Sequence, residues 1–342
     1  MTSSAASCFL ILRMKTFEEA ELCFPELLNS SCRKATHPHS VSMLTYIILS
    51  SICLLTVTLN LLVIISISHF KQLHTTTNLL LLSLAVSDFF IGFLMLFQIT
   101  LIDGCWLLGE RMCILYTVLG YIITSASVGT MVLISVDRYV AICEPLQYPI
   151  KVTQKRVQVC VCLCWICSAF LQTLLLKDNL EQPGRYNSCF GECVIVINYI
   201  AGLTDVFFAF IGPVTVIIVL YMRVFVVAVS QARAMRSHVT AVTSQRTVKV
   251  TPKRSEMKAA RALGVVIVVF LVCLCPYYCV SLTGQDNLLN TSSAMFIICL
   301  FYFNSCLNPV IYAFFYPWFR KAIKLIVTLK ILQPGSCQTN ML

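Results

Sequence analysis

Seven stretches of this 342-residue chain stay apolar long enough to cross a bilayer core, which takes about 20 helical residues. They are Leu44–Ile67, Thr75–Ile102, Met112–Val136, Val157–Leu176, Cys193–Met222, Ala262–Gln285 and Asn287–Phe319. Short polar connections separate them, apart from a longer basic, Ser/Thr-bearing segment at 228–256. After the last comes Tyr316–Ile326, apolar on one face and basic on the other, the pattern of a helix lying on a membrane surface. The pattern predicts an all-α fold, a seven-transmembrane-helix bundle with a short amphipathic eighth helix. No period of roughly 20–50 residues repeats between the windows, so neither solenoids nor inverted-repeat transporters find support. We divide the chain into an arm at 1–41, a helical domain at 42–326 and a tail at 327–342.

Composition agrees. At 58% hydrophobic, 12% charged and a mean hydropathy of +0.84, this is no ordinary soluble globule. The net charge of +10 is placed unevenly. Of the 25 Lys and Arg residues, only Arg13, Lys15, Arg33, Lys34, Arg111, Lys177 and Arg185 fall on the side of the arm. The positive-inside rule therefore predicts the N-terminus outside and the C-terminus in the cytoplasm. Membrane lipids account for the basic balance without a nucleic-acid partner. The run Cys8–Leu12 is too short for a signal-peptide core, so the first helix is expected to direct insertion. Asn29-Ser30-Ser31 is a glycosylation sequon on the outer side.

Only two carboxylates lie inside the seven windows, Asp88 and Asp205. Ionisable groups at that depth are costly and mark function. Pro309 sits mid-window, where it removes one backbone hydrogen bond and bends the helix. The carbonyl it frees must find another donor, and Asn304, Ser305 and Asn308 are the local candidates. Of the 19 cysteines, most lie within apolar spans. Cys160, Cys162, Cys164 and Cys167 read as small hydrophobes rather than zinc ligands, because their helix offers no polar second shell. No paired carboxylates, nucleophile elbow or phosphate loop appears, so an enzyme is not expected.

The stretch from Asn304 to Ala322 reads NSCLNPVIYAFFYPWFRKA. Its Asn308-Pro309-x-x-Tyr312 core resembles the seventh helix of rhodopsin-like G-protein-coupled receptors. The whole stretch is similar to trace amine-associated receptors, a resemblance covering about residues 14–330. It implies that Asp88, Asn60, Ser127, Asn304, Ser305 and Asn308 form a pocket for a sodium ion, with Asp88 and Ser127 as its ligands and no other cofactor. It implies that Asp137, Arg138 and Tyr139 form a latch with Glu256, and that activation releases Arg138 toward Tyr221 and Tyr312. A bidentate, permanently charged guanidinium suits such a latch. It also implies a Cys113–Cys193 disulfide and a second bridge from Cys189 to Cys32, with Cys23 as the competing partner. The partners implied are a small amine and a heterotrimeric G protein of the stimulatory or olfactory type, in the plasma membrane of olfactory neuron cilia.

Two departures matter. Most trace amine receptors hold the ligand ammonium with an aspartate on helix three, and that position falls at Gly120 here. Asp205 on helix five would replace it, as in a subset of fish receptors, with Tyr121, Thr124, Tyr277, Tyr278 and Tyr302 lining the site. A desolvated carboxylate among aromatic rings favours a cation over a neutral ligand, and one acidic anchor favours a monoamine over a diamine. Leu274 stands where the family usually has a tryptophan. Two alternatives stay open. One is a receptor of the same fold for a neutral ligand, with Asp205 a structural carboxylate paired to helix four or a loop. The other is a transporter using Asp88 and Asp205 as a proton relay.

Overall fold

The computed structural model describes residues 21–34, 39–239, 254–283 and 291–341. Among them run α1 (His39–His69), α2 (Thr76–Thr100), α3 (Glu110–Cys143) and α4 (Gln154–Leu175). Next comes α5, a composite of Tyr199–Val206, five π-helical residues Phe207–Ile211, and Gly212–Val239. It is followed by α6 (Arg254–Thr283), α7 (Thr291–Phe315) and α8 (Pro317–Val327). Six of the described helices are long and apolar enough to cross a membrane; the apolar part of α6, Gly264–Val280, is shorter. The bundle has an arm end, where residues 21–34 sit, and a tail end, where α8 sits.

Local chemistry sets several boundaries. Thr75 and Thr153 cap α2 and α4 by accepting from the backbone N–H three residues on. Tyr316 takes an extended conformation ahead of Pro317, which disfavours a helical predecessor. The last apolar window therefore ends at Phe315 instead of Phe319. The window from Cys193 also overran. Val194–Ile197 is apolar but not helical, because Asn179 pins it by exchanging bonds with the Val196 backbone at 2.9 and 3.3 Å. Helix α5 begins only after Asn198, whose side chain accepts from Ala201 N.

Helix α3 runs through the centre, packed on α2, α4, α5 and α6, while α1 packs on α2 and α7. At the α3–α4 crossing Gly129 allows a close approach, since a Cβ there would run into the Cys164 sulfur and force it to shift. On α4, Val159, Leu163, Ile166, Phe170 and Leu174 form one exposed apolar stripe at helical spacing, the surface a bilayer covers.

The buried apolar residues fall into two main clusters, one at the arm end and one at the tail end that extends along α5 and α6 to Val206, Phe210 and Tyr278. Four helices cross the gap between them, and each carries polar side chains there. Asn60 lies between Cys53 and Val63, Asp88 between Ala85 and Ile91, Ser127 between Ile123 and Val128, and Asn308 between Cys306 and Ile311. On these four helices a polar layer thus separates the two clusters at mid-depth.

Three disulfides organise the arm end: Cys113–Cys193, Cys32–Cys189 and Cys23–Cys105. Cys23 was the rival partner for Cys189, yet it joins Cys105 in the α2–α3 connection. Backbone bonds support the stapling, with Cys32 N donating to Phe190 O at 2.9 Å and Trp106 N to Gly191 O at 2.7 Å. Asn29 is exposed in the turn between them. At the tail end Met341 N donates to Gln72 Oε1 at 2.8 Å, folding the tail back onto the α1–α2 turn.

Replacing Cys23 and Cys105 together by serine is expected to cost about 2–4 kcal/mol, because the bridge closes a long loop of the unfolded chain. Thermal unfolding in detergent reads this directly. An unchanged melting temperature would mean that the bridge does not form.

Candidate functional site

At mid-depth the problem posed by Pro309 has a specific solution. Proline has no N–H, so the carbonyl four residues back, that of Ser305, loses its helical donor. The side chain of Asn60, on α1, replaces it: Nδ2 donates to Ser305 O at 3.0 Å and to its own helix at Thr56 O at 2.9 Å. The donor comes from another helix and not from the local candidates Asn304, Ser305 and Asn308. Beside it Asn308 Nδ2 donates to Asp88 Oδ2 at 2.7 Å. Asp88 Oδ1, Asn60 Oδ1, Asn304 Oδ1 and Asn308 Oδ1 are buried with no partner among the described residues. Next to this layer lies a cavity of about 20 Å³, lined by Ser127, Asn304 and Ser305 with Thr124 and Leu274 among its other walls. That volume admits one water or small ion. Carboxylate, amide and hydroxyl oxygens are hard ligands suited to a cation such as sodium. Thr124, expected beside the ligand, faces this small cavity. So does Leu274.

At the tail end Arg138 is 4% exposed and folded onto its neighbour. Its Nε donates to Asp137 Oδ2 at 3.0 Å, and its Nη2 to the same oxygen and to Thr77 Oγ1 at 2.5 Å each. The other oxygen, Asp137 Oδ1, accepts from the Tyr148 hydroxyl at 2.8 Å. Burial and the Asp137 carboxylate push the Tyr148 hydroxyl up from its ordinary pKa, which keeps it protonated as a donor. Tyr139 instead packs with Ile142 and Val224. The hydroxyls of Tyr221, Tyr312 and Tyr316 are buried with no partner among the described residues, and Tyr221 and Tyr316 lie close enough to feel the Arg138 charge. The side chain of Glu256 lies outside the described residues.

Toward the arm end Asp205 is 8% exposed on the last α-helical turn before the π-helical stretch. Its Oδ1 accepts from Gln172 Nε2 of α4 at 2.7 Å. Among the described residues Oδ2 accepts nothing. The wider π turn brings Phe210 flat against Tyr278, with centroids 4.2 Å apart and planes at 11°. Such single π turns concentrate at functional sites. Tyr121 and Asp205 both lie within electrostatic reach of Tyr278. Tyr277 packs against Phe301 at 4.8 Å. Tyr302 points elsewhere, toward Gln98 and Tyr116.

Residues 59–312 match the family model described as "7 transmembrane receptor (rhodopsin family)". Trace amine-associated receptor 13c of Danio rerio is 39% identical over 344 residues, covering 96% of this chain and 98% of that protein. Human trace amine-associated receptor 6 is 36% identical, covering 94% and 95%, and mouse trace amine-associated receptor 8b is 37% identical, covering 94% and 96%. This chain belongs to the trace amine-associated receptors, within the rhodopsin family. It is a multi-pass membrane receptor with a small-molecule ligand and a G-protein partner, and not an enzyme.

Several residues of this receptor's sites escaped the sequence reading. Gln172 had a signal, as a polar side chain inside an otherwise apolar window. Cys105 had one too, as a cysteine in the short connection between the second and third apolar windows. Thr77 and Tyr148, which hold Asp137, carry no local mark, since their roles arise from helix α2 and the α3–α4 connection meeting α3.

The Asn60 bond is separable by mutation. Asn60→Ala orphans the Ser305 carbonyl and is expected to cost about 1–3 kcal/mol. Adding Pro309→Ala restores a local N–H donor to that carbonyl and should recover much of the loss. Melting temperatures of the receptor and its variants check this, and simple additivity of the two changes would contradict the assignment.

Proposed function

We propose that this receptor is an amine sensor of olfactory neurons, with its arm outside the cell and its tail in the cytoplasm. The excess of Lys and Arg on the tail side supports that orientation, and so do three disulfides at the arm end. The ligand ammonium binds Asp205. The observation carrying this reading is a buried carboxylate with one oxygen held by Gln172 and the other without a partner among the described residues, beside stacked rings. A neutral amide donor leaves the carboxylate its full charge, so an arriving ammonium completes a charge-assisted pair. With Gly120 in place of the usual helix-three aspartate, the amine lies reversed relative to most of the family, as in the helix-five aspartate subset.

Signalling then runs through the polar layer. A sodium ion at Asp88 and Ser127 favours the inactive arrangement, and the four unpartnered oxygens support its place there. Asn308 and Tyr312 couple that layer to the tail end. Release of Arg138 from Asp137 and Thr77 toward Tyr221 and Tyr312 opens the surface for a stimulatory G protein, raising cyclic AMP. This is a two-state element whose populations the ligand shifts. The buried, otherwise unpartnered hydroxyls of both tyrosines support them as the second set of partners.

The Gln172 bond also favours a second reading, in which Asp205 only braces α4 against α5 and the ligand is neutral. Cyclic AMP responses to an amine panel, wild type beside Asp205→Asn at matched surface expression, separate the two. Loss of at least tenfold in potency is expected. Unchanged potency would leave Asp205 structural.

The polar layer has its own test. Exchanging choline for sodium should lower the melting temperature of the wild-type receptor and leave Asp88→Asn unmoved. Equal shifts in both would place the ion elsewhere.

A further inference from the structure

Tyr302 does not line the Asp205 site, and what it does instead has a use. Its hydroxyl and that of Tyr116 converge on one atom, Gln98 Oε1, at 3.4 and 2.8 Å, and stand 3.5 Å from each other. Both tyrosines are at most 5% exposed, and Trp106 stacks on Tyr116 with centroids 5.8 Å apart. Two hydroxyl donors fill the two acceptor positions of the Gln98 carbonyl oxygen. The amide nitrogen of Gln98 is then left with two N–H donors that no described residue accepts. The cluster ties α2, α3 and α7 together and presents donors.

A continuous run of rings leads to it from Asp205. Phe210 stacks on Tyr278 at 4.2 Å, Tyr278 meets Tyr277 at 5.3 Å, Tyr277 meets Phe301 at 4.8 Å, and Phe301 meets Tyr302 at 5.4 Å. On α3, Tyr116, Gly120 and Thr124 share one face at four-residue spacing. Gly120 carries no side chain one turn below Tyr116. Tyr121, which sits within reach of the Tyr278–Asp205 pair, is five residues and so about 7.5 Å along the axis from Tyr116. The series of rings therefore has a carboxylate at its α5 end and the Gln98 amide donors at its α2 end.

We propose that the Gln98–Tyr116–Tyr302 cluster is a second ligand subsite, which receives a hydrogen-bond acceptor at the end of the ligand opposite its ammonium. The inference rests on the reading of Asp205 as the ammonium anchor. It narrows the ligand class to elongated monoamines, an aromatic or aliphatic body with an ether, hydroxyl or carbonyl oxygen at the far end. A purely hydrocarbon tail leaves the Gln98 donors without a partner when water is expelled, and a buried unpaired donor is costly. A second ammonium would meet donors there, which disfavours diamines.

The test uses two probes of nearly equal shape, para-methoxyphenethylamine and para-ethylphenethylamine, on the full-length receptor in cells with cyclic AMP as readout. The methoxy compound should be about tenfold more potent on the wild type, the worth of one good hydrogen bond. Gln98→Met keeps the length without the amide and should bring the two probes to equal potency. Gln98→Glu keeps the acceptor for both tyrosines, removes the donors and should invert the preference. Surface labelling identifies any variant that fails to fold, and the other then decides. A wild type that answers neither probe, or answers both alike, overturns the subsite, as does a preference surviving both substitutions. Asp205→Asn distinguishes the two levels. If it abolishes both responses while the Gln98 variants change nothing, only the subsite fails. If both responses survive it, the anchor fails as well.

Discussion

Everything at mid-depth depends on one hydrogen bond, from Asn60 of α1 to the carbonyl that Pro309 leaves without a donor. In water a freed carbonyl would be solvated at little cost. In a bilayer it must be satisfied by protein or by a trapped water. Supplying the donor from α1 joins the bend of α7 to a neighbouring helix, and the bend then turns Asn308 onto Asp88. The polar layer follows from that constraint. Its remaining oxygens, Asp88 Oδ1 and the Oδ1 atoms of Asn60, Asn304 and Asn308, are buried without donors among the described residues.

The same logic recurs at both ends. Arg138 and Asp205 are buried charged side chains, and each is held by neutral partners in addition to, or in place of, an opposite charge. Thr77 and Tyr148 secure the Asp137–Arg138 pair, while among the described residues Gln172 alone secures Asp205. A charge fixed by neutral donors keeps its appetite for a counter-charge. Asp205 meets no opposite charge among the described residues, whereas Arg138 has the Asp137 carboxylate.

Much of this was legible in the chain. Seven apolar windows predicted the bundle, because lipid exposure writes itself as uninterrupted apolar length. Asp88 and Asp205 stood out because a carboxylate in such a window has few innocent explanations. The helix boundaries were less legible. Val194–Ile197 reads as a span but is pinned by Asn179, and nothing local says so. The donor to Ser305 was sought within α7 because sequence neighbours are visible and the helix opposite is not. Cys105 was missed for the same reason, since pairing is a fact of three dimensions. Tyr302 was expected beside Asp205, yet its hydroxyl turns toward Gln98 and Tyr116, because an aromatic residue announces its chemistry without its direction.

The three disulfides have a consequence beyond their separate strengths. Cys23–Cys105, Cys113–Cys193 and Cys189–Cys32 connect the segments 23–32, 105–113 and 189–193 end to end into one closed loop of covalent bonds. It is a macrocycle drawn from three distant parts of the chain. No segment of such a rim can swing open on a hinge without dragging the other two. The arm and the α4–α5 connection are therefore not independent flaps. Rearrangement at that end has to move the rim as a unit with the tops of α2 and α3, against α5, α6 and α7, which carry no cross-link to it among the described residues.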